Sequence, residues 1–327
     1  MERFVFVAAV TVAIVLGLFH FLGGPSWSIN IDGFEGGRHD PVLQVSAGRL
    51  ADQTYQTSDI EVRYAAARVV VTPEDRQDLV IAIDNPGHAP MPEVRMEGGR
   101  LIVDGRLRGR VSDCKHDSVE LRGYGAIARA DLPLIQIRAP RTLSVDVGGA
   151  SSSEIGPAQA LDASFSGCGG AQIGDVAENL SIDLAGSGEV RAGSAGGLSA
   201  DLAGSGEIYV GAVADGAKVD IAGSGRVEVA SLTGTLSMDG AGSGDLTVQG
   251  GAITEANIDL AGSGDVSIAA PVQRLEVSIV GSGDVDVAAA VGDIEAEIAG
   301  SGGVSAQSVT GAVHREVWGS GEIRIGQ

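Results

Sequence analysis

Residues 181–190 read SIDLAGSGEV, and the Gly-Ser-Gly triplet within this stretch recurs along the C-terminal half of the chain. Successive triplets are 18 to 20 residues apart, and one of them is Gly-Cys-Gly. A period near 19 residues suits one turn of a β-solenoid better than a propeller blade of about 40 residues. The repeat therefore predicts an all-β fold, a parallel β-helix with one triplet in each coil. The triplets begin at Gly167, Gly186, Gly204, Gly223, Gly242, Gly262, Gly281, Gly300 and Gly319.

Apolar and polar residues alternate on both sides of the triplet. Counted from its first glycine, position −2 is apolar in nearly every repeat, as in Leu184, and position +4 is Val, Ile or Leu in every repeat after the first, as in Val190. A period of two is typical of strands that bury one face. Each repeat is predicted to be strand, glycine corner, strand and return turn. Glycine supplies positive φ or close approach between coils, and the serines are expected to form a stacked hydroxyl ladder.

The first 24 residues differ from the rest of the chain. The apolar run Phe4–Leu22 predicts a membrane anchor or a signal peptide over residues 1–24, and its length favours an uncleaved anchor. Arg3 precedes the run, which predicts a single-pass protein of the inner membrane with its body in the periplasm. Export after signal cleavage is the alternative. The membrane is thus an expected partner, through residues 4–22.

The remaining chain divides by composition and by the repeat. Residues 25–44 are rich in glycine and turn formers, which predicts a tether. Residues 45–160 carry short β-branched segments without a triplet, and we expect irregular N-terminal β coils or a cap there. Residues 161–327 are predicted to form the regular β-helix.

The chain is strongly acidic, with 22 basic and 43 acidic residues and a formal net charge of −21. Such a charge repels nucleic-acid phosphates and anionic lipid, so nucleic acid is not an expected partner. Carboxylates recur at positions −3 and +3, in two stripes beside the corner. They predict either a solvated face that resists aggregation or a binding face for Ca²⁺ or another cation. This candidate acidic face contains Asp183, Asp201, Asp220, Asp239, Asp259, Asp245, Asp265 and Asp284.

No catalytic, cofactor-binding or metal site is predicted. A nucleophilic serine occurs once beside a base, whereas the serine here recurs in eight triplets. The only two cysteines, Cys114 and Cys168, are predicted to form a disulfide in an exported chain, with free thiols as the alternative.

The repeated AGSG corner followed by Asp or Glu, with strands such as RVVVTP at 68–73 and RLIVDG at 100–105, resembles the bacterial head GIN domain family of putative autotransporter adhesins. The resemblance covers about residues 45–327. It implies a non-catalytic β-helical domain of the cell envelope that acts in adhesion or binds a protein or polysaccharide partner. Two alternatives remain: a scaffold that self-associates through stacked β-helices, and a β-helical carbohydrate-active enzyme, which the residues favour least.

Overall fold

The computed structural model describes residues 40–115 and 117–326. These residues form 28 β-strands and one short 3-10 helix, Arg129–Asp131, and the predicted all-β solenoid is confirmed. The predicted anchor or signal segment lies outside the described residues, as does most of the tether. Within the described residues, no helix has the length and hydropathy needed to cross a bilayer.

The strands are numbered in chain order. The first twelve are Gly48–Tyr55 (β1), Asp59–Ala65 (β2), Arg68–Glu74 (β3), Leu79–Asn85 (β4), Glu93–Glu97 (β5), Arg100–Asp104 (β6), Val111–Cys114 (β7), Ser118–Leu121 (β8), Gly125–Ala128 (β9), Leu134–Pro140 (β10), Thr142–Gly149 (β11) and Ser152–Ile155 (β12). The regular coils follow with Ala160–Gly167 (β13), Ala171–Ile173 (β14), Val176–Gly186 (β15), Glu189–Ala192 (β16), Ala195–Gly204 (β17), Glu207–Val213 (β18), Ala217–Gly223 (β19) and Arg226–Gly242 (β20). The last eight are Asp245–Val248 (β21), Gly251–Gly262 (β22), Val266–Ile268 (β23), Val272–Gly281 (β24), Asp284–Gly300 (β25), Gly303–Val309 (β26), Val313–Gly319 (β27) and Glu322–Ile325 (β28).

Each coil has one strand before the glycine corner and one after it, and equivalent strands of successive coils pair in parallel. On the pre-corner face β13 pairs with β15 and β15 with β17, while on the post-corner face β14 pairs with β16 and β16 with β18. The long strands β20 and β25, 17 residues each, run through the return turn and belong to both faces. Positions −2 and +4 lie in the core as predicted, since Leu202 and Val227 are fully buried.

Both glycines of a triplet are required, for different reasons. Gly186 has φ +126°, and a Cβ there would lie 2.3 Å from the carbonyl oxygen of Gly167 in the preceding coil. At Gly188 a Cβ would lie 2.1 Å from the oxygen of Gly169. The first position thus needs a left-handed backbone as well as close approach, and the third needs close approach. Successive coils touch through their backbones at this edge.

The serine between the glycines bonds through its backbone. The Ser224 N–H donates to the Gly204 oxygen at 2.8 Å, and Ser243 and Ser263 repeat this bond in later coils. The corner serines from Ser187 onward are exposed, and their hydroxyls have no hydrogen-bond partner among residues 40–115 and 117–326. The expected hydroxyl ladder is therefore not formed, because the N–H groups already join the coils.

The corner column continues N-terminal of the first triplet. Gly149 pairs with Gly167 on one side and with Ala65 on the other, so Gly149-Ala150-Ser151 and Ala65-Ala66-Ala67 form corners without the motif. The same register thus extends upstream of residue 161. Beyond these coils, β5 pairs antiparallel with β6 and β4 pairs antiparallel with β1 and β10. Antiparallel strands therefore close the N-terminal end of both faces.

A separate antiparallel sheet, β7–β9, covers the first corners. Its residues Val119, Leu121 and Ile127 are buried in a second apolar cluster that includes the corner residues Ala66 and Ala150. A disulfide joins Cys114 at the end of β7 to Cys168 of the Gly-Cys-Gly triplet, with their Cα atoms 6.2 Å apart. The sheet is thereby covalently linked to the start of the triplet column.

Variation in coil length is absorbed on the return side. The 18-residue step that ends at Gly204 coincides with a register shift between Val176 and Asn179, and the 20-residue step that ends at Gly262 coincides with a shift between Gly234 and Thr235. Both shifts are β-bulges away from the corner. The corner and its flanking strands therefore keep an unbroken register.

We expect the substitution Gly223→Ala to lower the free energy of unfolding by about 3 kcal/mol, since φ there is +128° and the new Cβ would lie 2.3 Å from the Gly204 oxygen. The matched variant Ser224→Ala keeps the N–H bond and should change it by less than about 0.5 kcal/mol. Chemical denaturation of the full-length chain measures both. Equal effects would contradict the close-approach argument.

Candidate functional site

The outer surface of the pre-corner face carries a row of five aspartates, here called the acidic ladder. Each belongs to position −3 of one coil, and each is paired in register with the next. Neighbouring parallel strands are about 4.8 Å apart, so the carboxylates recur at about that spacing. The ladder consists of Asp183, Asp201, Asp220, Asp239 and Asp259.

Little positive charge lies against the ladder. Lys218, two positions before Asp220 on β19, forms an ion pair with that carboxylate. At the N-terminal end, the Ser164 hydroxyl donates to Asp183 Oδ2 at 3.2 Å. No other ion pair to a ladder carboxylate is formed within the described chain. The row is thus a run of like charges with one cation beside it.

Burial and crowding change the protonation of Asp201, the second residue of the ladder. Partial burial, a hydrogen bond with Asp220 and the charges of Asp220 and Asp183 together raise the pKa of Asp201 to about 8, whereas Lys218 opposes the rise. A carboxyl with such a pKa is largely protonated at neutral pH and can donate a hydrogen bond to its neighbour. The ladder therefore holds fewer negative charges than its five carboxylates suggest.

The same causes act along the rest of the row. Burial raises the pKa of Asp183 to about 6 despite the hydrogen bond from Ser164. Burial, then the carboxylates of Asp220 and Asp259, raise the pKa of Asp239 to about 6. Burial also raises the pKa of Asp259. Stacking aspartates on one sheet face thus disfavours full ionisation of the row.

The three other aspartates of the predicted acidic face lie on the opposite side of the corner and act differently. Asp245 Oδ1 accepts the Asp265 N–H at 3.2 Å, and Asp265 Oδ1 accepts the Asp284 N–H at 2.9 Å. We call Asp245, Asp265 and Asp284 the corner aspartates; the carboxylates of the first two join successive coils, and Asp284 takes part through its backbone N–H. The structure therefore divides the eight predicted residues into an acidic ladder and a structural set.

At the N-terminal end the same column is ion-paired. Glu61 occupies the ladder position in the first coil, and Arg63 contacts Glu61, Glu97 and Asp104 at 3.5, 3.4 and 3.3 Å. Arg95 also contacts Glu97 and Asp104, at 2.6 and 3.2 Å. The sequence analysis missed this network, although an arginine lies within two to four positions of an acid in β2 and β5. The contrast shows that the ladder, unlike Glu61, lacks arginine partners.

Other polar features of the coils are self-contained. The Arg191 guanidinium lies 4.1 Å from the ring centroid of Tyr209, whose hydroxyl donates to Glu207 at 2.7 Å. The ring is thus covered by protein.

A depression lined by Ser151, Phe165 and other residues is about the size of one water molecule. Among residues 40–115 and 117–326, no group of three or more His, Cys, Asp or Glu side chains is arranged to hold a metal ion.

The C-terminal repeats match a family model. Residues 210–289 and 258–327 match the family model described as putative auto-transporter adhesin, head GIN domain, which confirms the resemblance seen in the sequence. The matched region includes the ladder from Asp220 to Asp259. The two matches together cover residues 210–327, and the family description applies to that part of the chain as a similarity. No curated protein matches the chain.

Several solved structures are similar to the chain at low identity. A putative lipid binding protein from Parabacteroides distasonis is 17% identical, with 86% of this chain and 98% of that chain covered and a TM-score of 0.44. A putative adhesin from Parabacteroides merdae is 13% identical, with coverage of 86% and 96% and a TM-score of 0.39. A putative adhesin from Bacteroides fragilis is 16% identical, with coverage of 87% and 100% and a TM-score of 0.31.

The raised pKa values predict that stability falls as pH rises. A carboxyl with a folded pKa above its unfolded value binds protons more tightly in the folded state, so its contribution is complete below about pH 4. This contribution is lost as pH passes about 6 for Asp183 and Asp239, and about 8 for Asp201. The melting temperature of the full-length chain should therefore decrease between pH 5 and pH 8.5.

The variant Asp201→Asn/Asp239→Asn should flatten that decrease. At pH 8.5 it should be more stable than the unchanged chain by about 1 kcal/mol for each carboxylate removed. The control Asp265→Asn/Asp284→Asn keeps a side-chain oxygen for the coil-to-coil bond and should retain the slope. A ladder variant with an unchanged slope would refute this electrostatic account.

Proposed function

We propose that the chain is a non-catalytic, adhesin-like domain of the bacterial cell envelope that binds its partner through the acidic ladder. Residues 4–22 anchor it in the inner membrane and the solenoid lies in the periplasm. The partner is a protein or a polysaccharide that carries cationic groups or shares a bound cation with the ladder. The family match supports the adhesin-like part of this proposal.

One observation carries the assignment to the ladder. The corner aspartates Asp245 and Asp265 each accept a backbone N–H from the next coil, so they have a structural role. The ladder carboxylates make no such bond, and their raised pKa values show that ionising the row is unfavourable in the folded state. Residues that cost stability without a structural role are typical of functional surfaces.

The geometry determines what kind of partner suits the ladder. All five carboxylates lie on one face of a sheet, so they offer oxygen ligands from one side only. Ca²⁺ takes six to eight oxygen ligands, and the ladder does not enclose it. A cation at Asp201, Asp220 and Asp239 would keep most of its coordination for water or for oxygens of a partner. The row fits ammonium or guanidinium groups of a partner, or a cation shared with it, better than a closed metal site.

Adhesion of coated beads to intact bacterial cells tests this function. Beads carrying the full-length chain are compared with beads carrying Asp201→Asn/Asp220→Asn/Asp239→Asn, with and without 5 mM Ca²⁺ or Mg²⁺. We expect the ladder variant to lose most of the adhesion, since three adjacent carboxyl groups of the proposed binding face are removed. Thermal melts with each ion, against NaCl of equal ionic strength, report whether a cation binds the folded chain directly.

The matched control is Asp245→Asn/Asp265→Asn/Asp284→Asn, which removes the same number of carboxyl groups from the other side of the corner. It should adhere like the unchanged chain. Equal losses in both variants would show that net charge, and not the ladder, controls adhesion. Full adhesion by the ladder variant would refute the proposed binding face.

A second candidate function is end-to-end self-association through the last coil. Val317 and Ile325 are 36% and 47% exposed, whereas Ile279 and Ile298, at the position of Val317 in earlier coils, are buried. Among the described strands, β27 and β28 each pair with a single neighbour. This edge thus leaves backbone groups and apolar side chains open to another copy.

Sedimentation velocity of the full-length chain in detergent, from about 1 to 100 μM, tests self-association. Association should increase with concentration, and Val317→Lys should abolish it by placing a charge in the shared core. Lys218→Gln, a substitution far from this edge, is the control. A monomer at every concentration would exclude the scaffold function.

A further inference from the structure

The negative charge is distributed unevenly along the chain. Residues 142–326 carry 25 acidic and six basic residues, whereas residues 40–141 carry 15 acidic and 14 basic residues. The net charge of −21 therefore belongs mainly to the coils. Because charges are screened within about 8 Å at physiological salt, repulsion of anionic surfaces by the coils does not extend to the N-terminal cap.

Within the cap, positive charge concentrates in the segment 105–130, which has six basic and three acidic residues. Arg106 donates to the Met91 oxygen at 2.7 Å, Arg110 to the Asp40 oxygen at 2.7 Å, and Arg122 to the Gly109 oxygen at 3.3 Å. These three guanidiniums are held by neutral carbonyls. In the described part of the chain none of the three forms an ion pair with a carboxylate.

We call residues 105–115 and 117–124 the arginine loop. The residue before β7 and the turn before β9 are joined by hydrogen bonds between arginines and backbone: Arg110 donates to the Arg122 oxygen at 2.8 Å, and the Arg122 N–H donates to the Arg110 oxygen at 2.8 Å. The two side chains are thereby held near each other. The charges of Arg110 and Arg122 are thus held in place close together.

The chain enters the fold at this loop. The Asp40 N–H donates to the Arg108 oxygen at 3.1 Å, and Asp40 Oδ2 accepts the Arg108 N–H at 2.7 Å. Between Leu22, the end of the predicted anchor, and Asp40 there are 17 residues, which span at most about 60 Å. A linker of this length would allow the arginine loop to reach the surface of a membrane that holds residues 4–22.

One exposed valine lies beside Arg110, and a second follows three residues later on the same segment. Val42 is 56% exposed and Val45 39% exposed. A Cβ at Gly123 would lie 2.8 Å from Val42 and 3.2 Å from the Arg110 guanidinium, so these groups are neighbours. The Tyr124 hydroxyl accepts the Leu43 N–H at 2.8 Å. Aliphatic side chains next to tyrosine and cations are the composition of surfaces that rest in lipid headgroups.

We propose that the arginine loop, with Val42 and Val45, docks the cap onto the anionic phospholipid headgroups of the membrane that holds the chain. The guanidiniums of Arg106, Arg110 and Arg122 bind lipid phosphates, and the two valines enter the headgroup layer. The place of docking rests on the proposed function, because that function includes the membrane anchor. Lipid recognition by the arginine loop does not depend on the anchor.

Hydrogen exchange of the full-length chain in nanodiscs tests the docking. Discs of phosphatidylcholine alone are compared with discs that contain 30% phosphatidylglycerol, at 50 mM and 500 mM NaCl. Backbone amides of residues 40–47 and 105–124 should exchange several-fold more slowly in anionic discs at low salt, while those of β20–β28 should not change. The protection should disappear at high salt.

Two variants separate charge from local structure. The variant Arg106→Gln/Arg110→Gln/Arg122→Gln should lose the lipid-dependent protection, with a docking constant reduced roughly 100-fold, about five-fold for each charge. The variant Arg106→Lys/Arg110→Lys/Arg122→Lys keeps the charges and should retain most of it. A distal control, Arg191→Gln/Arg226→Gln/Arg274→Gln, removes equal charge and should behave like the unchanged chain.

The outcomes distinguish this inference from the proposed function. Release of the protein from vesicles by alkaline carbonate would refute the anchor, and the released chain is then assayed with added vesicles of the same compositions. Exchange that is independent of lipid charge, or protection that survives in the Gln variant, would overturn docking by the arginine loop. Equal protection by 10 mM inorganic phosphate would assign the loop to a free anion and also overturn it.

Discussion

Successive coils approach so closely at their corners that the carbonyl oxygen of one glycine occupies the space where the next would place a side chain. At Gly264 and Gly283 this distance is 2.2 Å. The approach fixes the register of the pre-corner strands, since every corner bonds to the one before it. The spacing of the acidic ladder, the layers of the core and the staples formed by the corner aspartates all follow from that register.

Much of this architecture could be predicted from the sequence, because the close approach of successive coils restricts which residues fit at each corner. Only glycine fits at two positions per coil, and a period of 19 residues is therefore visible. The corners at Ala65 and at Gly149, which alanine follows, lack the Gly-Ser-Gly triplet. The sequence analysis therefore did not assign those coils to the corner column. The sheet β7–β9 was likewise missed, because its buried residues pack on corners that are distant in sequence.

The candidate site was only partly foreseeable. Positions −3 and +3 look alike in the sequence, since both repeat Asp or Glu. Their difference depends on which backbone groups are free: a donor N–H of the next coil lies beside Asp245 and Asp265, whereas the ladder residues face one another across paired strands. A column pattern shows which side chains share a face, but not what lies within reach of each one. The charge difference between cap and coils could be counted, but the clustering of Arg110 with Arg122 required the fold.

The bulges on the return side have an evolutionary consequence. A residue gained or lost near Gly234 is absorbed locally, so the corner column and the ladder stay aligned. The same change within a corner would invert the inward and outward positions of the adjoining strand. Duplication of whole coils and small insertions in the return turns are therefore open routes of divergence, along which relatives can differ in length and in return-turn sequence while the corners stay constant.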